Sequence, residues 1–156
     1  MTTLENLAAR ESIRRLVSAY CDAVCRRDAD AAGCLFAPDA RVRIAGFPEL
    51  SGRDAITQGM RHTFAQAAFL HQRCDTGLID VDGDHAQARL GVFEAIRKPG
   101  QDSIGLVFGF YEDHYVRLGE GWRFASRRYA MQSRVLLPAT KVQDAAAFVP
   151  ELSFTC

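Results

Sequence analysis

A handful of side chains in this sequence can move a proton or hold a charged oxygen, and most of them sit in apolar stretches. His71 opens a segment of β texture. An imidazole held partly out of water takes a proton from carbon, or gives one to a leaving hydroxyl, near neutral pH. Tyr20 shares an apolar helical face with Val17 and Val24. A phenol in a dry pocket polarises a carbonyl or stabilises developing negative charge. Tyr20 also reads as a core tyrosine whose hydroxyl is satisfied by backbone. Cys25, on the same helix, reads as a nucleophile, a small lining hydrophobe or a weak acid, and a buried thiol without assistance is inert. Arg127, Arg128 and Arg134 fall in the last apolar stretch, where one arginine can hold an anionic or carbonyl group. Neighbours on a strand face opposite ways, so Arg127 and Arg128 cannot both point inward. Arg128 is assigned the inward place, with Val24, Phe110 and Met131 as lining. Glu112 and His114 share one strand face and form a further candidate pair.

The elements that must position these groups follow from periodicity. Leu4, Leu7, Ile13, Leu16, Val17, Tyr20 and Val24 recur at spacings of three and four, which predicts a long amphipathic first helix. Asp28 is a suitable N-cap for a short second helix from Ala29 to Phe36. Ala37-Pro38-Asp39-Ala40 reads as a stop and turn, and Arg41 to Ile44 as a strand. Gly52-Arg53-Asp54 opens a third helix that runs to about Ala68. Four strands follow. They are His71–Val81, His85–Arg97, Ile104–Leu118 and Trp122–Leu137, joined at Asp82-Gly83-Asp84, Lys98-Pro99-Gly100 and Gly119-Glu120-Gly121. Helices followed by a meander imply an α+β fold. A sheet with helices on one face must curl to bury it, which predicts a cone around an apolar cavity suited to a small ligand.

Bulk properties narrow the function. The 156 residues fit one domain, with 138–156 as a C-terminal tail. Nineteen basic residues balance nineteen acidic ones, so nothing draws the chain to nucleic acid or anionic lipid. The charged N-terminus lacks the apolar core of a signal peptide, and no stretch reaches the ~18 apolar residues of a membrane span. A cytoplasmic protein is the expectation. The five cysteines show no zinc-finger spacing, and no P-loop, dinucleotide fingerprint, nucleophile elbow or H-E-x-x-H motif is present. No cofactor and no metal are expected.

Several segments carry a resemblance. Ile13-x-x-Leu16-Val17-x-x-Tyr20, Arg27-Asp28-x-Asp30-Ala31 and Leu35-Phe36-Ala37-Pro38-Asp39-Ala40 resemble the helical half of a SnoaL-like domain of the nuclear transport factor 2-like superfamily. Gly52-Arg53-Asp54-Ala55-Ile56, Val81-Asp82-Gly83-Asp84-x-Ala86 and Gly121-Trp122-Arg123-Phe124 are similar to its third helix, central hairpin and last strand. The resemblance implies three N-terminal helices packed on a strongly curved, mainly antiparallel sheet. It also implies a histidine in the cavity, at His71, and a hydrogen-bonding tyrosine, at Tyr20. Dehydratase-like members orient that histidine with an aspartate where this chain has Cys25, leaving Asp75 or Glu94 as possible carboxylate partners. The implied function is a cofactor-independent lyase or isomerase acting on a small hydrophobic or aromatic molecule. The alternative is a non-catalytic ligand-binding or assembly subunit, because the segment after Trp122 is similar to the small subunit of ring-hydroxylating dioxygenases. The resemblance further implies a homodimer or homotrimer, and the apolar tail is a candidate docking segment.

Overall fold

The structure is a computed structural model that describes residues 2–119 and 121–139. Helix α1 spans Thr3–Arg26 and starts at a capping box: the Glu5 amide donates to Thr2 Oγ1 at 3.2 Å, and the Thr2 amide donates to Glu5 Oε2 at 2.6 Å. It ends at Arg27, whose left-handed backbone (φ 57°) stops the helix. Asp28 then caps α2, accepting from the Ala31 amide at 2.9 Å. Helix α2 covers only Ala29–Gly33, because Phe36 already belongs to a strand.

Strand β1 is Phe36–Ile44, β2 is Leu50–Ser51, and helix α3 is Arg53–Ala65. Strands β3 (Phe69–Cys74), β4 (Leu78–Asp82), β5 (His85–Arg97), β6 (Ser103–Leu118) and β7 (Gly121–Pro138) complete the chain order. The sheet runs β2-β1-β7-β6-β5-β3, with β4 also paired to β5. It is mixed, because β1 lies parallel to β7 while the other pairs are antiparallel. The sheet curls without closing. Its concave face packs on α1 through Ile13, Val17, Tyr20 and Val24, which meet Phe36, Leu90, Tyr115 and Phe124 in one core. Burying these side chains is the main stabilising term.

Besides a register shift between Phe108 and Gly109 against β7, three irregularities depart from the pattern read in the sequence. Pro38 and Asp39 do not end β1. They lie in a register shift between Phe36 and Arg41 against β7, so the strand continues through the expected turn. The expected strand from His71 to Val81 is two strands, broken at Asp75-Thr76-Gly77. Gly77 has φ +60°, and a Cβ there would stand 2.2 Å from Leu90 Cδ2, so the chain can swing at this point only with glycine. A third shift lies between His114 and Tyr115 opposite β7, where Tyr115 pairs with Phe124 but His114 pairs with Ser126. The tail expected at 138–156 lies outside the described residues beyond Ala139, and so does any docking by it.

Candidate active site on the concave face

The last two irregularities decide which side chains reach the interior. Along β7, Trp122 and Phe124 are buried, and uninterrupted alternation would carry Ser126 and Arg128 inward after them. The extra residue at Ala125 reverses the alternation. Arg127 therefore points inward and is only 3% exposed, paired in register with Asp113. Arg128 faces outward and pairs with exposed Glu112 on the convex side, which corrects its expected cavity place. Along β4, Ile79 is buried and Val81 half-buried, so an unbroken strand would bring His71 inward. The break at Gly77 reverses this too. Leu70 and Gln72 are the buried residues of β3, and His71 is exposed on the other face.

Arg127 and Asp113 form the closed end of the concave face. Arg127 Nε and Nη2 donate to the two carboxylate oxygens at 2.8 and 2.7 Å, and the Tyr115 hydroxyl donates to the same carboxylate at 2.9 Å. The guanidinium carbon lies 3.8 Å from the Tyr111 ring centre, 4.3 Å from Phe124 and 4.4 Å from Tyr20. Those faces stabilise the cation where water is absent. Arg127 Nη1 has no hydrogen-bond partner. Burial opposes the arginine's charge, but the Asp113 carboxylate more than offsets this and holds it well above the usual arginine range. Tyr20 packs edge-on against Phe36 and Phe124, at 6.0 and 5.6 Å between centres. Burial raises its phenol, while the Arg127 charge pulls the other way. Val24 is core on the next turn of α1.

The open end is polar and less complete. Gln72, 4% exposed, donates through Nε2 to Glu94 Oε2 at 3.0 Å and to the Tyr111 hydroxyl at 2.9 Å. Its carbonyl oxygen is buried without a partner. Burial raises the Glu94 carboxyl above its ordinary value, opposed only by the Gln72 amide. Tyr129 stands 5.5 Å from Tyr111 between ring centres, and its phenol is raised by burial and then by the Glu94 charge. Met131 follows Tyr129 in the register of this face and is 57% exposed at its rim. Phe110 lies on the convex face, opposite Tyr111 in alternation. Glu112 and His114 also face that way, His114 Nδ1 lying 3.1 Å from Ser126 Oγ.

Cys25 fastens α1 to the edge of β3. Its sulfur accepts from the Gln72 amide at 3.3 Å, donates to the Gln72 carbonyl at 3.4 Å, and lies 3.6 Å from His71 Nδ1. Burial raises the thiol, so its first task here is to satisfy the unpaired strand edge. A hollow of about 240 Å³ opens at the seam of α1 with β3 and β4, bordered by Val17, Cys21, Gln72, Cys74, Ile79 and Leu90. Among the described residues no group of three or more metal-binding side chains occurs, and no helix is long and apolar enough to cross a membrane.

Sequence reasoning passed over Gln72 and Asp113. A polar residue amid an apolar strand pattern, as at Asp113 between Tyr111 and Tyr115, was the available signal for a buried charge.

Fold and sequence agree on the class. Residues 5–128 match the SnoaL-like domain family, and the chain belongs to it. Uncharacterized proteins of Mycobacterium tuberculosis and Mycobacterium bovis are each 26% identical over 129 residues, covering 81% of this chain and 88% of theirs. A Novosphingobium aromaticivorans protein assigned as a scytalone dehydratase superposes with TM-score 0.81 at 21% identity, over 93% of this chain and 100% of that one. A type 2 hexachlorocyclohexane dehydrochlorinase, LinA, superposes with TM-score 0.82 at 18% identity, over 93% and 98%. At these identities the two structures share the fold with this chain.

Proposed function

We propose that this protein is a cofactor-independent lyase or isomerase that moves a proton on a small hydrophobic or aromatic molecule held against the open end of the concave face. The observation that carries this reading is Glu94: a desolvated carboxyl beside two phenols, backed by a neutral amide rather than by an arginine. Dehydratase and dehydrochlorinase relatives of the same fold support the reaction class. A carboxylate out of water is a stronger base than one in water, and its raised pKa brings it toward the working pH. Glu94 therefore takes the proton from carbon. The Tyr111 and Tyr129 phenols donate to the oxygen or leaving group that gains charge. Burial raises the Tyr111 phenol well above its ordinary value, and the Arg127 cation against its ring opposes this. Tyr20 holds Arg127 in place from the helix side. His71, on the opposite face of β3, leaves the proton transfer to Glu94.

The test begins with a thermal-shift screen of aromatic, steroid-like and polyketide-like alcohols and ketones. A ligand at 100 times its Kd adds about 2.7 kcal/mol of stability. With a turned-over ligand in hand, Glu94→Gln is expected to lower kcat by roughly 10²- to 10⁴-fold while keeping the thermal shift. His71→Ala is expected to stay near wild type. The opposite pattern, an inactive His71→Ala and an active Glu94→Gln, overturns the assignment.

One observation favours a second reading as an assembly subunit. Met131, Val135, Leu136 and Leu137 form an exposed apolar run on β7. Homo-oligomerisation through this run is compatible with either role. Binding without turnover of any ligand, together with concentration-dependent sedimentation lost on charged substitution of Leu136, would favour it.

A further inference from the structure

Cys21 and Cys74 take no part in the site above, yet they are the thiols the fold brings face to face. Cys21 lies on α1 one residue after Tyr20, and Cys74 ends β3 two residues after Gln72. Both are half-buried, both are free thiols, and both border the same 240 Å³ hollow. Their side chains interact directly across the α1–β3 seam. The hollow has an apolar wall of Val17, Ile79 and Leu90, with Arg14, Arg73 and Asp75 at its rim. It is large enough for a small oxidant.

We propose that Cys21 and Cys74 form a hydroperoxide-reactive dithiol that closes to a disulfide tying α1 to β3.

The contact between the two sulfurs favours a single thiolate in the pair, and the first step is assigned to Cys21. Contact with the Cys74 thiol lowers Cys21, aided by the Arg127 charge and opposed by burial and by Asp113. The same contact raises Cys74, with burial adding to it. The thiolate is the nucleophile, so Cys21 attacks first. Its sulfur takes one oxygen of hydrogen peroxide, the O–O bond breaks, and the leaving hydroxide is protonated to water. The sulfenic acid at Cys21 is then attacked by the Cys74 sulfur. An S–S bond forms and the S–O bond breaks. The Cys74 proton leaves with the hydroxyl as a second water. Two thiols and one peroxide thus give one disulfide and two waters, with both electrons drawn from sulfur. Cys25 is excluded from this chemistry by its raised thiol and its bonds to the Gln72 backbone.

The experiment uses the full chain, hydrogen peroxide as the probe, and tryptic mapping under non-reducing conditions. Cleavage after Arg15, Arg26, Arg73 and Arg89 places Cys21 and Cys25 in the peptide 16–26 and Cys74 in 74–89. The expected product is a dithiothreitol-sensitive link between these peptides in most of the protein. It should form in Cys25→Ser and be absent in Cys21→Ser and Cys74→Ser. Cys74→Ser should instead accumulate a dimedone-trapped sulfenic acid on Cys21. Thermal melting of each variant without peroxide establishes that it is folded. A link that persists in Cys21→Ser, dimedone on Cys25, or over-oxidation of Cys21 beside an untouched Cys74 overturns the proposal, as does no reaction in the folded wild type. None of these outcomes bears on the role of Glu94.

Discussion

The two ends of the concave face are built on opposite terms. At the closed end a cation meets its carboxylate, a tyrosine hydroxyl completes the carboxylate, and rings cover the cation. At the open end a carboxyl has only a neutral amide, and that amide's carbonyl has no partner. The first arrangement pairs both carboxylate oxygens and leaves Arg127 Nη1 alone without a partner. The second leaves unspent polarity, which is where a ligand gains most from supplying a missing partner. The contrast teaches that charge and reactivity are separate properties. Asp113 has both oxygens paired, whereas Glu94, raised by burial, keeps only the Gln72 amide as a partner.

The largest effect expected from breaking this contrast is at the closed end. Arg127→Met leaves Asp113 buried without a counter-charge, which should cost about 3–5 kcal/mol. For a chain of this size that lowers Tm by roughly 6–20 °C in calorimetry. A drop of only a degree or two would mean that the rings, rather than the ion pair, hold the closed end. Tyr115→Phe removes one donor from the same carboxylate and should cost about 1–3 kcal/mol, read from the urea midpoint at unchanged m-value.

At the open end the expected change is smaller and has a distinctive sign. The Glu94 carboxyl is raised in the folded state above its ordinary 4.5. The native protein therefore binds the proton more tightly than the unfolded chain does. The stability this gives is fully present below pH ~4.5 and is lost as pH rises through the raised value. Glu94→Gln should flatten that slope and melt above wild type at neutral pH. A Tm difference that does not vary with pH would remove the basis for a desolvated Glu94. The smallest effect belongs to the convex face. Arg128→Ala breaks an exposed pair with Glu112 and should change stability by less than about 1 kcal/mol, with turnover unaffected.

Much of the fold was legible from residue types. The amphipathic run from Leu4 to Val24 is the apolar stripe of α1, Asp28 is the cap it resembled, and the turns at Gly83, Gly100 and Gly119 fall between strands as read. Pro38 misled, because a proline inside a register shift gives up no ladder bond that the strand needs. The site was legible in its inventory but not in its geometry. Tyr20 and Arg127 were both among the candidates, yet the inward place went to Arg128 and the cavity histidine to His71. The first choice followed unbroken alternation, and the second followed the family resemblance, which the break at Gly77 displaces by one residue.

By itself the sequence determined the helices, the hairpin turns and the family, because helix periodicity, caps and turn glycines are local and need no neighbour to act. Only the tertiary structure decided which side of each strand faces the interior. One extra residue at Ala125 turns the side chains from Ser126 to Met131 to the other face, until a second extra residue at Gln132 turns them back. The swing at Gly77 reverses the faces between β3 and β4. Whether a strand bulges is settled by the strand it pairs with, here β6 opposite β7 and β5 beneath the β3–β4 break. For that reason Arg127 and Gln72 lie inside this protein, while Arg128 and His71 lie outside.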